Sequence, residues 1–224
     1  MYSENEGGKV SMSLVEWINN QYDINEGQTA EINLDYTYDN EDVVAIIGES
    51  GTGKTTLLRK WFGTDEIAFK VDSDKIIFEI LFNMIGDEDE VSQLLFDVGL
   101  ASIPMWKNTY NQISNGEKLR FEIAYKLAHY NEVFFIDEYT SMLDRQTAMN
   151  LSRNLNGLLE KYDKKCVLVT CHFDVLDWIA VDKVVNTTTK KLHSHKSKTL
   201  ITHKQLKSEE YQEICGEYLS SITI

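Results

Sequence analysis

The sequence predicts an α/β fold with a mostly parallel sheet, on three observations. Gly48-Glu49-Ser50-Gly51-Thr52-Gly53-Lys54-Thr55-Thr56 fits the phosphate-binding pattern G-x-x-x-x-G-K-[ST]. That stretch joins the apolar run 43–47, which reads as a buried strand, to a helix over 55–62 that Gly63 ends. Two further near-continuous apolar runs, 132–138 and 166–170, flank an amphipathic helix over 144–162, with Ala148, Leu151, Leu155, Leu158 and Leu159 on one face. Strands buried on both faces and alternating with helices build a parallel sheet, whose ligands sit at the carboxyl ends of the strands. Together these features predict a P-loop NTPase core.

Bulk properties narrow the class. A chain of 224 residues can bury a sizeable core, and it is read as a disordered lead over 1–8 followed by a single domain over 9–224. No apolar run approaches the length of a membrane span, and the acidic, polar start lacks the basic residues and apolar stretch of a secretory signal, so a cytoplasmic location is expected. The net charge of -14 argues against a surface that coats nucleic acid, which needs clustered Lys and Arg. Cys166, Cys171 and Cys215 have no disulfide or zinc spacing and read as reduced thiols, with Cys171 a small buried residue at a strand end.

Taken in order, the segment from Val10 to Leu34 is mixed, with a helix or strand through Leu14, Val15, Trp17 and Ile18, and residues 31–36 alternate like a strand. After the phosphate loop and its helix, residues 66–71 read as another strand. Asp72-Ser73-Asp74 then reads as a turn capping a helix that starts near Lys75. Apolar residues recur at helical spacing from Ile76 to Leu100 and break at the acidic run 87–90, giving two helices with that run as the solvated cap of the second. Pro104 marks the loop leaving them. Ser114 and Glu117 form a capping-box pair opening a helix whose Leu119, Ile123, Ala124, Leu127 and Ala128 face inward. A helical insert over about 75–130 is thus expected within the sheet domain. Beyond Val184 the chain is Thr- and Lys-rich, read as a hairpin and a short helix over 209–219; His193 and His195 share one side of a strand there but lack a third metal ligand.

The chemistry follows from residue type and place. Glycines let successive N–H groups turn inward around a polyphosphate, and the helix N-terminus adds favourable charge. Lys54 is expected on the β- and γ-phosphates and the Thr55 hydroxyl on Mg²⁺. Asp137 and Glu138 end an apolar strand at a spacing that lets the first hold Mg²⁺ and the second orient or deprotonate an attacking water. Ser114-Asn115-Gly116-Glu117 offers bare N–H groups at a second helix N-terminus, and one chain cannot readily aim both grips at the same nucleotide, whereas a second subunit can.

In this order the motifs resemble the ATP-binding cassette (ABC) family of ATPases over residues 43–186. Residues 48–56 resemble Walker A, 113–117 the LSGGQ-type signature, 133–138 Walker B with its catalytic Glu, 141–144 the D-loop and His172 the switch histidine. The resemblance implies an ABC-type fold with ATP and Mg²⁺ sandwiched in a head-to-tail homodimer, between Walker A of one subunit and the signature of the other. It places Asp144 at that nucleotide and an upstream aromatic, Tyr22 or Trp17, against the adenine. Three departures stand out. Asp72 occupies the place of the Q-loop glutamine, a Mg²⁺ and water ligand in the family, and is expected on Mg²⁺ in its stead; the stretch 56–72 is short; and Asn115 replaces the first signature glycine, where its tolerance of left-handed backbone is expected to preserve the grip.

The expected function is ATP hydrolysis coupled to opening and closing against an unknown protein partner. Residues 140–148 and 171–178 resemble small phage or bacterial cassettes, some linked with GNAT-type acetyltransferase modules. A transporter's nucleotide-binding subunit and a non-hydrolysing ATP-gated module are the alternatives. A phosphotransferase is disfavoured by residues 114–117, and an SMC-type head by the lack of sustained heptads.

Overall fold

The structure, a computed structural model, describes residues 36–63, 69–129 and 132–194. All of these belong to one compact unit. Tyr22, Trp17, Cys215, His195 and the expected 209–219 helix lie outside the described residues.

Among the described residues the centre is a five-stranded sheet in the order β2-β3-β1-β4-β5. Strands β1 (Val43–Ile47), β2 (Val133–Ile136), β3 (Lys165–Thr170) and β4 (Lys183–Asn186) run parallel, and β5 (Lys191–Ser194) closes an antiparallel hairpin on β4. The register pairs Val43 with Cys166 and Ile47 with Thr170, so the carboxyl ends of β1 and β3 come level. Every residue of β1 is buried, because helices cover both faces.

Strand alternation divides the core. Val44 and Ile46 point to one face with Phe135, Val167 and Val169, where they meet Leu57 and Leu58 of α1 (Lys54–Phe62). Burying each of those leucines contributes about 2 kcal/mol and presses the first turn of α1 against the end of β1. Val43, Ala45 and Ile47 belong to the larger cluster on the other face, with α2 (Ile77–Ile85), α3 (Glu88–Asp97), α4 (Asn115–His129) and α5 (Arg145–Lys161).

The helical array 77–129 forms as its periodicity predicts. Gly86 takes φ 80° to end α2, and Asp87 accepts hydrogen bonds from the Asp89 and Glu90 N–H groups at the start of α3, so the acidic run is a cap. The start of α2 differs from expectation. Asp72 stays in the preceding turn, where its side chain accepts from Asp74 N–H, and the Ile77 N–H is satisfied by Asn108 O instead of a side-chain cap.

One further expectation is corrected. Phe69, Lys70 and Val71 are not in a strand: the Phe69 ring packs against Tyr110, Phe121 and Tyr125, a better burial for an aromatic side chain than an added sheet edge. Residues 64–68 lie outside the described residues. On α4 the expected inward face forms: Ile123, Ala124 and Leu127 are buried with Phe121 and Lys126, and the half-buried Leu119 and Ala128 pack against the same core. Lys126, 2% exposed, is tolerated because its ammonium donates to Glu122 at 2.6 Å and to the Phe135 carbonyl at 2.5 Å. That contact ties α4 to β2.

Candidate functional site

The carboxyl ends of β1, β2 and β3 surround a cavity of about 360 Å³. Its floor is the loop after β1, in which Gly48, Gly51 and Gly53 take φ of 149°, 80° and 88°. Gly48 is required for space as well as conformation, since a Cβ there would stand 2.3 Å from Thr187 Oγ1. Threonines after β4 brace the loop. Thr52 Oγ1 meets Thr187 Oγ1 at 2.6 Å, Glu49 N–H donates to Thr188 Oγ1 at 3.0 Å, and Asn186 Oδ1 caps the Thr188 and Thr189 N–H groups. The sequence offered a signal for this brace, a polar Asn-Thr-Thr-Thr run directly after a buried strand, but only the sheet order puts it beside the loop.

Lys54 bridges the loop, its ammonium donating to the carbonyls of Gly48 at 2.8 Å and Glu49 at 2.7 Å. Ser50, Gly51, Thr55 and Thr56 line the cavity with it. The Thr55 hydroxyl donates to Asp137 Oδ2 at 2.8 Å, while Asp137 Oδ1 accepts the Glu138 N–H at 2.9 Å. No group of three or more His, Cys, Asp or Glu converges among the described residues. One hydroxyl and one carboxylate beside a phosphate loop nevertheless fit Mg²⁺, which takes one or two protein oxygens and completes its octahedron with phosphate and water.

Glu138 is exposed at the cavity edge and takes φ 51°, and Thr140 takes φ 65°. Left-handed backbone at non-glycine residues costs about 1 kcal/mol or more and persists where neighbours enforce it. Here Tyr139, between the two, is the anchor: its N–H donates to Val169 O at 2.7 Å, its carbonyl accepts from Thr170 Oγ1 and its buried hydroxyl meets Ser152 Oγ on α5. Cys171 also lines the cavity. It is exposed, correcting the expected buried thiol, because the chain has left the sheet after Thr170.

His172 follows, half-buried, with Nδ1 3.2 Å from Thr140 Oγ1 and 3.2 Å from Arg145 Nη1. Burial first, then the Arg145 guanidinium, holds its pKa below the ordinary histidine value, against a smaller opposing pull from Asp174. Sequence reasoning assigned no role to Arg145 or Asp174.

Ser114, Asn115, Gly116 and Glu117 do not line this cavity. The capping box is formed, with Ser114 N–H donating to Glu117 Oε2 at 2.7 Å and Glu117 N–H to Ser114 Oγ at 3.4 Å. Asn115 begins α4 and is not among the positive-φ residues, so tolerance of left-handed backbone is not what admits it. It lines an adjoining recess of about 210 Å³ with Lys118, Thr140 and Met142, and the two recesses share Asp137, Glu138 and Ser141. Asp144 is exposed and caps α5 by accepting the Thr147 N–H at 3.0 Å, which lowers its pKa. Asp72 is exposed and does not line the cavity.

A phosphate loop opening a helix, beside a strand-end carboxylate hydrogen-bonded to the loop's Thr, defines a P-loop nucleotide-binding protein. No family model matches the chain. It is 29% identical over 161 residues to the aliphatic sulfonates import ATP-binding protein SsuB 2 of Frankia alni, covering 63% of this chain and 64% of that one. It is 29% identical over 159 residues to the erythromycin resistance ATP-binding protein MsrA of Staphylococcus epidermidis, covering 66% and 30%. Each match thus spans less than two thirds of the relative. Among solved structures, the dimeric form of a bacterial ABC transporter cassette matches with TM-score 0.50 and 22% identity over 67% of this chain and 82% of that one. A post-hydrolysis dimer bound to ADP and Pi matches with TM-score 0.55 and 18% identity over 72% and 89%. These relatives are ATP-binding proteins, and the chain shares its fold with ABC cassettes.

Proposed function

We propose that the chain binds ATP with Mg²⁺ in the cavity at the ends of β1, β2 and β3 and hydrolyses it as a head-to-tail homodimer. The observation that carries this reading is that the two phosphate grips do not line one cavity: loop residues between Ser50 and Thr56 line the first and Asn115 of the helix-opening motif lines an adjoining recess, the two meeting at Asp137, Glu138 and Ser141. A second copy supplies the missing grip to each.

The residues divide the work. The loop N–H groups and Lys54 hold the β- and γ-phosphates. Thr55 and Asp137 hold the metal, which when bound neutralises charge developing on the phosphoryl oxygens. Glu138, free of the Thr55 contact and turned to the cavity edge by its left-handed backbone, orients a water and takes its proton as the water oxygen bonds to the γ-phosphorus and the bond to ADP breaks. His172 follows Thr170 and Cys171 of the cavity wall, its backbone N–H donating to Thr170 Oγ1 at 3.0 Å, and does not itself line the cavity. Asp144 and Ser114 to Glu117 face the partner copy. Asp72, held in its turn away from the cavity, is left out of the metal site.

The output is closure on ATP and opening after hydrolysis, passed to a protein partner in the cytoplasm. The link to acetyltransferase modules rests on the resemblance of 140–148 and 171–178 alone. A second reading, the nucleotide-binding subunit of a membrane transporter, is favoured by the import ATP-binding proteins among the relatives. Among the described residues no helix is long and apolar enough to cross a membrane. Affinity capture separates the two: polytopic membrane partners support the transporter subunit. For ATP use itself, phosphate release by the wild-type chain and its loss in Glu138→Gln is the test.

A further inference from the structure

Arg145 is the first residue of α5, directly after the capping Asp144. Its guanidinium is gripped at two points by Asp174, Nε donating to Oδ2 at 2.9 Å and Nη2 to Oδ1. Its Cζ lies 5.0 Å from the centre of the Trp178 ring, a cation–π seat. With both degrees of freedom fixed, the remaining Nη1 sits 3.2 Å from His172 Nδ1.

The chemistry of that last contact has one consistent solution. A guanidinium stays protonated and has donors only, so the ring nitrogen it faces carries no proton. The Thr140 hydroxyl, also 3.2 Å from Nδ1, is then a second donor to the same nitrogen. The proton of the neutral ring therefore sits on Nε2, on the edge away from α5.

We infer that Arg145 is a positioning residue, clamped by Asp174 and Trp178 so that it fixes His172 in the Nε2–H tautomer. Its effect on turnover rests on the ATP reading; the tautomer does not. The clamp also joins the segment 141–145 to the histidine, so a shift of that segment against another copy is felt at the ring.

Charged groups act on the ring from two sides, Arg145 on α5 and Asp174 on the turn Phe173–Asp177. The end of β2 presents the uncharged Thr140, with Asp137 and Glu138 lining the adjoining cavity. Removing Arg145 deletes the positive neighbour and leaves Asp174, so the ring protonates more readily; removing the Asp174 charge does the opposite.

The test is ¹⁵N NMR of the histidine rings in the full chain, alongside phosphate release across pH. In wild type, His172 should show a bare Nδ1 and a protonated Nε2. In Arg145→Ala the two tautomers should mix and the titration midpoint rise. There kcat should fall about tenfold or more with KM for ATP nearly unchanged, and the acid limb of the rate profile should move to higher pH. Asp174→Asn should move the midpoint the other way, and Arg145→Lys, which keeps the charge without the fork, should restore the midpoint more than kcat. An unchanged tautomer and midpoint in Arg145→Ala overturns the inference, whatever the rate does. A wild-type chain that releases no phosphate would sink the ATP reading, while the ring spectra would still decide the role of Arg145.

Discussion

Replacing Gly48 by alanine puts a methyl group where the molecule has no room for it. Its Cβ would stand 2.3 Å from Thr187 Oγ1 and 2.8 Å from Thr52 Oγ1, at a backbone φ of 149° that L residues rarely adopt. The backbone costs about 1–2 kcal/mol. Displacing the threonines costs a further roughly 1–3 kcal/mol as overpacking, and alanine's smaller unfolded-state entropy returns about 0.4–1 kcal/mol. The expected net loss is about 1–5 kcal/mol. Urea unfolding of the full chain measures it as a lower midpoint at constant m-value. Thr187→Ala should relieve the packing share when combined with Gly48→Ala, so the double variant should be less destabilised than the sum of the singles. A Gly48→Ala chain within about 0.5 kcal/mol of wild type, or a pair of changes that simply add, would refute the crowding argument.

Lys54→Ala should lose nucleotide binding and phosphate release, while Ser114→Arg should fail alone yet recover one working site per dimer when mixed with it; equal silence of the mixture would deny the trans arrangement. His172, with its pKa lowered in the folded chain, adds a pH term of definite sign. Above the ordinary value of about 6.5 it contributes no slope, and stability declines as pH falls from there through the lowered folded value, a trend that His172→Gln should remove from urea midpoints. Maleimide should label Cys171 and spare Cys166, whose thiol is fully buried and pushed up by desolvation. ATP with Mg²⁺ should slow labelling at Cys171; labelling indifferent to nucleotide would place ATP elsewhere.

Much of this architecture could be read from the chain because its signals are local. An apolar run of five followed by the glycine-rich loop specifies β1, the turn and α1 within one segment. The Ser114 and Glu117 cap and the Asp87 cap are likewise three-residue relations, and both form. What escaped the sequence depends on distant neighbours. Residues 66–71 alternate like a strand, yet Phe69 is captured by aromatics more than 40 positions away, at Tyr110, Phe121 and Tyr125. Lys126 reads as a solvated lysine until the Phe135 carbonyl is brought above it by β2. Arg145 and Asp174 are unremarkable 29 positions apart and become a clamp only when α5 and the segment after β3 converge. At the site, Thr55 and Asp137 are hydrogen-bonded across 82 positions, whereas Asp72 is held in a turn of its own.

The central claim is that ATP joins two copies of this chain into one hydrolytic unit. Solution mass of Glu138→Gln, measured with and without ATP and Mg²⁺ beside phosphate release by the wild type, tests it most directly. The account predicts a monomer that becomes a dimer on adding ATP and Mg²⁺, with phosphate released by the wild type and not by the variant. A variant that stays monomeric in both conditions while the wild type turns over ATP would contradict it.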